Sequence, residues 1–178
     1  MKLLRTIQLD PSDTFVFEPA AAPGEWAVSG AFAFWHENVG ALSGKARAAF
    51  RGGFLGVQSL GWSTLVQVVE ATEEDRAAVI RALAEKLVER FGAPDMTAAL
   101  AAAEEEIAFA ESLCNQPADT LIAVHRTFED GETREAFRTL HPRGGPKPLR
   151  AFSFLEVEGE DEPSEAVDLV AIAESARK

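Results

Sequence analysis

The stretch that decides the fold is "TLIAVHRTFEDGETREAFRTL", residues 120–140. Both halves are rich in β-branched and aromatic residues, and they flank the Asp-Gly pair at 130–131, a strong signal for a two-residue hairpin turn. A turn at this point places Arg126 opposite Glu135. Slipping the register by one residue would set Arg126 against Arg134, so the sequence predicts an antiparallel hairpin in the first register.

The same register fixes which side chains of the hairpin share a face. It pairs Val124 with Phe137 and Phe128 with Thr133, which places both phenylalanine rings on one side of the sheet. His125 then falls on the other side.

Two helices are predicted immediately before the hairpin. The stretch "TEEDRAAVIRALAEKLVERFG" (72–92) has a Thr72 cap, an acidic first turn and an apolar stripe at helical spacing, and it ends at Gly92. After Pro94, "DMTAALAAAEEEIAFAESLCN" (95–115) has a second stripe. Its members are Met96, Leu100, Ala103, Ile107, Ala110 and Cys114. The short link predicts a helical hairpin.

Strands are predicted on both sides of this region. A Phe-x-Phe pattern at 15–17, 32–34 and 152–154 places two rings on one face of each predicted strand, and residues 61–71 are apolar on both faces, as in a central strand. Residues 159–163, "GEDEP", are predicted to be a short acidic linker to a C-terminal helix capped by Ser164.

The order of these elements indicates the fold class. Strands in runs favour an α+β fold, with an antiparallel or mixed sheet and with the helical hairpin and further helices packed mainly on one face. At 178 residues the chain is expected to form one domain, 1–178.

Composition excludes several function classes. The net charge of -12 opposes binding to nucleic acid phosphates, and no apolar run is long enough to span a membrane. The first residues lack the apolar stretch of a secretory signal, which predicts a cytoplasmic protein. A single cysteine excludes an internal disulfide, and the absence of tyrosine among 12 Phe and 3 Trp indicates that the rings mainly fill the core.

The favoured candidate for ligand binding is the basic loop "HPRGGPKPLR", residues 141–150. Paired glycines allow backbone N–H groups to converge on an anion, and basic side chains add charge. The candidate residues are Arg143, Gly144, Gly145, Lys147 and Arg150. A solvated connection between strands explains the same composition and is the preferred interpretation.

The stretch "NVGALSGKARAAF" (38–50) resembles a phosphate-binding loop only in part. It has three residues between Gly40 and Gly44 where a nucleotide hydrolase needs four, and Ala46 stands where a magnesium-binding hydroxyl would be. A helix over "ARAAF" with an irregular start is favoured. Basic side chains remain available for a weaker anion at the surface, namely Lys45, Arg47 and Arg51.

The remaining titratable residues give weak signals. The glutamates at 104–106 and 111 are interpreted as a solvated helix face, because no histidine lies at ligand spacing and no metal site is expected. Cys114 is interpreted as a buried, inert thiol. The histidines, His36, His125 and His141, form no ligand-spaced pair, and His36 is the weak candidate for acid-base catalysis.

The run "AAAEEEIAFAESLCNQPADTLIAVHRTFEDGE" (101–132) resembles an uncharacterised family of small bacterial proteins, over most of the chain. The resemblance implies a cytoplasmic protein of one domain and brings no known activity.

Two functions are therefore weighed. The first is a non-catalytic binding or accessory protein that acts through a protein partner, because residues 134–150 hold five basic residues against one acid whereas residues 151–178 hold eight acids against two bases. The second is an enzyme or sensor for a small anionic metabolite, phosphorylated or carboxylated, bound at 141–150. No cofactor is expected. A homodimer through sheet edges or the thin, alanine-rich face of residues 27–33 is a further possibility.

Overall fold

The computed structural model describes the backbone of residues 1–142 and 155–158 and the side chains of residues 1–140. The strands are β1 (Lys2–Ile7), β2 (Trp26–Val28), β3 (Phe54–Gly56), β4 (Trp62–Ser63), β5 (Leu65–Glu70), β6 (Leu121–Glu129), β7 (Glu132–Pro142) and β8 (Leu155–Glu158). The helices are α1 (Asp13–Val16), α2 (Gly44–Gly52), α3 (Glu73–Arg90) and α4 (Met96–Ser112).

The strands form a single sheet in the order β4-β3-β2-β1-β5-β6-β7-β8. Every neighbouring pair in this order is antiparallel. Helix α4 packs on β1 and β2, and α2 packs on β6. The α+β class is confirmed, and of the two sheet types that the sequence allowed, antiparallel pairing is the one observed.

The β6–β7 hairpin has the predicted register. Arg126 lies opposite Glu135, and Val124 lies opposite Phe137. Asp130 and Gly131 both have positive φ, at 54° and 81°, as the two central residues of this turn require. The prediction of the hairpin was reliable because the Asp-Gly turn and the alternation of side chains both specify the same register.

The helical hairpin is also confirmed, and its first helix begins where the sequence predicts. The Thr72 hydroxyl accepts from the Asp75 amide at 3.1 Å, and the Asp75 carboxylate accepts from the Thr72 amide at 2.9 Å, so both halves of a capping box are present. An ion pair of 3.1 Å between Arg76 and Glu111 joins the start of α3 to the end of α4.

The stripe predicted for α4 is wrong at its first turn. Met96 and Leu100 are exposed, whereas Ala99, Ala103 and Ile107 are buried. Small alanines rather than the larger side chains face the rest of the fold, because they allow α4 to approach its neighbours closely. Size, and not hydrophobicity alone, selects the buried face here.

The Phe-x-Phe strands are wrong at two of their three positions. Residues 13–16 form α1, whose Asp13 carboxylate accepts from the Leu9 and Asp10 amides, and Phe15 is 75% exposed. The third pattern, at 152–154, lies outside the described residues.

At 32–34 the strand prediction fails because β2 ends at Val28. Gly30 follows with φ at +79°, and a Cβ there would lie 2.5 Å from the Leu55 Cβ. The chain therefore turns into a 3-10 helix, Ala31–Phe34, instead of extending the strand. Ala27 and Ser29 are buried within the chain, whereas Ala31 and Ala33 are half-buried, and a homodimer through this face stays a prediction.

No helix within the described residues is long and apolar enough to cross a membrane. The predicted linker 159–163 and the C-terminal helix lie outside the described residues, so the division of the chain remains a prediction.

Candidate functional site

A cleft of about 780 Å³ lies between residues 32–37 and the α3–α4 hairpin, and we call it the hairpin cleft. Large apolar side chains line it, including Phe32, Leu87 and Phe91. Charged or titratable side chains share the same lining, namely His36, Glu37, Arg90, Glu105 and Glu106. The cleft thus combines an apolar lining with a small polar set.

The turn after β2 shapes this cleft. Phe32 packs edge-on against Phe91 with ring centroids 5.1 Å apart, and Phe34 stacks on Trp62 at 5.0 Å. These two rings hold the 3-10 segment against the fold, and the chain then continues outward into the cleft. Trp35 consequently lines the cleft while remaining 79% exposed, as a large aromatic surface that the fold does not bury.

Glu106 is the electrostatically unusual residue of the hairpin cleft. Partial burial of its carboxyl group raises the pKa of Glu106 from 4.5 to about 7, and the nearby carboxylates of Glu135 and Glu105 act in the same direction. The positive charge of Arg126 opposes this rise in pKa. Glu106 therefore changes its charge near neutral pH, which is uncommon for a glutamate outside a functional site.

Behind Glu106 lies a buried polar network centred on Arg126, whose side chain is fully buried. Its Nε donates to the Glu135 carboxylate at 2.7 Å, and its Nη1 donates to the carbonyls of Phe50 and Gly53 at 3.1 and 2.7 Å. Its Nη2 donates to the carbonyl and the hydroxyl of Ser29. All five N–H groups of the guanidinium therefore have partners within the chain.

This network is structural. It joins β2, the end of α2 and the β6–β7 hairpin at one point, and the Ser29 hydroxyl also donates to Glu135. Burial lowers the pKa of Arg126, while the Glu135 carboxylate raises it. The sequence predicted the Arg126–Glu135 pairing from strand register. The same alternation places Arg126 on the side of the sheet that carries Val124 and Phe128, which was the available signal of its burial.

The 38–50 stretch forms the helix predicted for it and not a phosphate loop of the hydrolase type. Helix α2 begins at Gly44, after a Ser43 cap residue whose side chain makes no capping bond. Lys45 bonds to Glu18 at 3.2 Å on the surface. Arg47 and Arg51 line a separate groove against β6, of about 320 Å³.

The other candidates fall in different places. Arg143, Gly144, Gly145, Lys147 and Arg150 lie outside the described residues, as does the side chain of His141. His125 is exposed, and Cys114 is buried with its thiol bonded to the Ala110 carbonyl at 3.3 Å. Burial raises the pKa of Cys114 to about 11, which keeps the thiol protonated and unreactive.

The structure brings His36 and part of the glutamate cluster together. Glu105 and Glu106 line the hairpin cleft with His36, whereas Glu104 is exposed away from it and Glu111 pairs with Arg76. The interpretation of the whole cluster as a solvated face is therefore wrong for Glu106. Among residues 1–140, no three His, Cys, Asp or Glu side chains converge as a metal site would need.

Comparisons with known proteins give a family and no activity. No curated protein and no solved structure matches the chain. The sequence model of DUF6505, described as a family of unknown function, matches residues 1–153. The resemblance inferred from residues 101–132 thus has a named counterpart, and the chain belongs to the DUF6505 family.

Proposed function

We propose that this protein is a non-catalytic binding protein of the cytoplasm whose ligand occupies the hairpin cleft. The ligand is a small molecule with a flat apolar or aromatic body and a protonated amine. The observation that carries the proposal is the convergence of Trp35, an apolar lining and Glu106 on one cleft of about 780 Å³. That volume lies within the range of about 300–1,000 Å³ typical of small-molecule sites.

The apolar part of the proposed ligand follows from the lining. Trp35 is 79% exposed, and Phe32, Leu87 and Phe91 lie in the same cleft. An aromatic body would cover the indole and remove apolar surface from water on both sides, worth about 25 cal/mol per Å² buried. Stacking against the indole adds about 0.5–1.5 kcal/mol.

The positive end of the proposed ligand follows from the charges. Three carboxylates, Glu37, Glu105 and Glu106, line the cleft with one permanent cation, Arg90. An ammonium group near Glu106 would favour its ionised form and lower its pKa. Binding would then release a proton near neutral pH, and affinity would rise with pH through about 7.

The choice of binding over catalysis rests on the residue types in the cleft. Among the described residues that line it, none carries a hydroxyl, thiol or amino group, so the glutamates and His36 are the only groups there that could act as a nucleophile or transfer a proton. Cys114 lies elsewhere, buried near the end of α4.

A thermal-shift comparison of tryptamine with indole-3-propionate tests the proposal, because the two share a ring system and carry opposite charges. Tryptamine should raise the melting temperature and indole-3-propionate should not. Trp35→Ala and Glu106→Gln should each abolish the shift. Glu104→Gln is the matched control, since it removes the same charge from an exposed position of the same helix. Equal shifts with both compounds, or loss of the shift in the control, would refute the assignment.

A second candidate function is proton transfer, favoured by the Glu106 pKa of about 7 beside His36 in the same cleft. In that case Glu106→Gln would leave amine binding intact while abolishing turnover of a bound substrate. Binding lost together with the carboxylate would instead support the binding role.

Two earlier expectations remain proposals beside this one. The accessory role through a protein partner rests on the opposite charges of residues 134–150 and 151–178, most of which lie outside the described part of the chain. The anionic metabolite bound at Arg143, Lys147 and Arg150 depends on residues that all lie outside it. Pull-down with the full chain, and Ala variants of those three residues, are the corresponding tests.

A further inference from the structure

We propose that the groove between α2 and β6 is a binding site for a phosphate group, independent of the hairpin cleft. Arg47 and Arg51 of α2 line one side, and Thr127, Phe128 and Glu129 of β6 line the other. We call this the α2–β6 groove. Its volume is about 320 Å³. That is near the lower end of the small-molecule range, which suits a phosphate group with a small substituent.

The two arginines are placed to act together. They are four residues apart on α2, so they share one face of the helix. Both are exposed, and neither forms a salt bridge with any residue that the structure describes. Like charges at this spacing destabilise an isolated helix by about 0.2–0.5 kcal/mol, and a bound dianion would remove that cost.

The rest of the groove favours an anion over a cation. Its only carboxylate among the described lining is Glu129, which already accepts from Arg134 at 3.3 Å. The guanidinium of Arg126 also lines the groove, but all its N–H donors bond within the chain. Its positive charge is partly neutralised by Glu135, so it attracts an anion only weakly. Donors to the ligand would be the two arginine forks.

A protein with a net charge of -12 repels anions at long range, so a local cationic pair of this kind is needed to hold one. The missing hydroxyl at Ala46 and the short Gly40–Gly44 spacing exclude a magnesium-triphosphate loop. They do not affect a phosphate held by side chains on the next turns of the same helix. Phe50 and Phe128 in the groove would contact an apolar substituent of a phosphate monoester.

The test is an NMR titration of the full chain with inorganic phosphate and with phenyl phosphate at low ionic strength. We expect saturable shifts of the Arg47 and Arg51 Nε–Hε signals and of the Thr127 amide. Arg47→Gln and Arg51→Gln should each weaken binding by about tenfold or more, since a charge-assisted bond of this kind contributes about 1.5–3 kcal/mol. Tighter binding of phenyl phosphate would identify a monoester as the ligand, and equal binding would identify free phosphate.

Arg81→Gln is the matched control, because Arg81 is an exposed arginine of α3 outside the groove. It changes the net charge equally and should leave the affinity within about twofold. Shifts that fail to saturate, or an equal loss of affinity in all three variants, would overturn the proposal, since either result indicates general attraction to charge. Thermal melts of the variants should match the parent, because both groove arginines are exposed.

Discussion

Replacement of Arg126 by Met tests whether the buried polar network holds the two halves of the sheet together. Methionine is similar in length and apolar, so the variant removes the charge and all five donors while largely filling the space. Three main-chain carbonyls, those of Ser29, Phe50 and Gly53, then lose their donor. The Glu135 carboxylate loses its cation but keeps the Ser29 hydroxyl.

The cost follows from these losses. An acceptor left without a partner costs about 1–3 kcal/mol when it is buried, and removal of one partner from a buried ion pair costs about 3–5 kcal/mol. The three carbonyls contribute about 3 kcal/mol at the lower end of their range. Glu135 is 17% exposed and keeps the Ser29 hydroxyl, so its loss is about 1 kcal/mol rather than the full cost of a buried pair, and we place the total near 4 kcal/mol. That is a large share of the roughly 5–15 kcal/mol by which a domain is stable.

Urea denaturation followed by tryptophan fluorescence measures this cost. With a slope of about 2 kcal/mol per M, the midpoint should fall by about 2 M. The control is Arg134→Met on the neighbouring strand, where Arg134 and Glu129 are 60% and 57% exposed and the expected loss is below about 1 kcal/mol. A loss in Arg126→Met no larger than in the control would show that water replaces the guanidinium without cost, and the reasoning would fail.

Three further predictions concern single positions. Because folding raises the pKa of Glu106 from 4.5 to about 7, the folded state binds the extra proton and stability is lost as the pH rises through that window. Glu106→Gln should therefore gain about 3 kcal/mol over the parent between about pH 4.5 and pH 8 in urea titrations, and a constant difference would contradict this. Cys114, buried with a pKa of about 11, should resist iodoacetamide at neutral pH until urea unfolds the protein, as read by mass spectrometry. Gly30→Ala should lower stability by at least about 1 kcal/mol in the same urea assay, because its φ is +79° and the new methyl would clash with Leu55; an unchanged midpoint would show that the turn can relax.

The parts of the fold that the sequence predicted are those in which local signals agree. In the β6–β7 hairpin, the Asp-Gly turn and the alternation of side chains select one register. In α3, the Thr72 cap and an acidic first turn mark the start. The Phe-x-Phe pattern failed because it was a single signal, and at 32–34 the conformation of Gly30 overrode it.

The hairpin cleft was not predictable in the same way, because its residues come from segments about 70 positions apart in the chain. His36 and Glu106 line the same cleft because Phe32 packs against Phe91 and the chain turns toward the helices. One signal was present in the sequence: Trp35-His36-Glu37 is an aromatic and polar cluster directly after an apolar segment. The position of this cluster in the cleft depends on the turn at Gly30, where the sequence predicted a continuous strand.

The buried network and the hairpin cleft are not independent, since the pKa of Glu106 responds to the charges of both Arg126 and Glu135. The Glu135 carboxylate raises the pKa of Glu106, and the Arg126 guanidinium lowers it. Loss of Arg126 would leave two carboxylates facing each other without a cation, which raises the pKa of Glu106 further and keeps it neutral at pH values where the cleft otherwise carries its charge. Loss of this scaffold residue would thereby weaken binding of the proposed amine ligand. Changes in ligand affinity at Arg126 and Glu106 should accordingly be non-additive, as expected of groups within one electrostatic network.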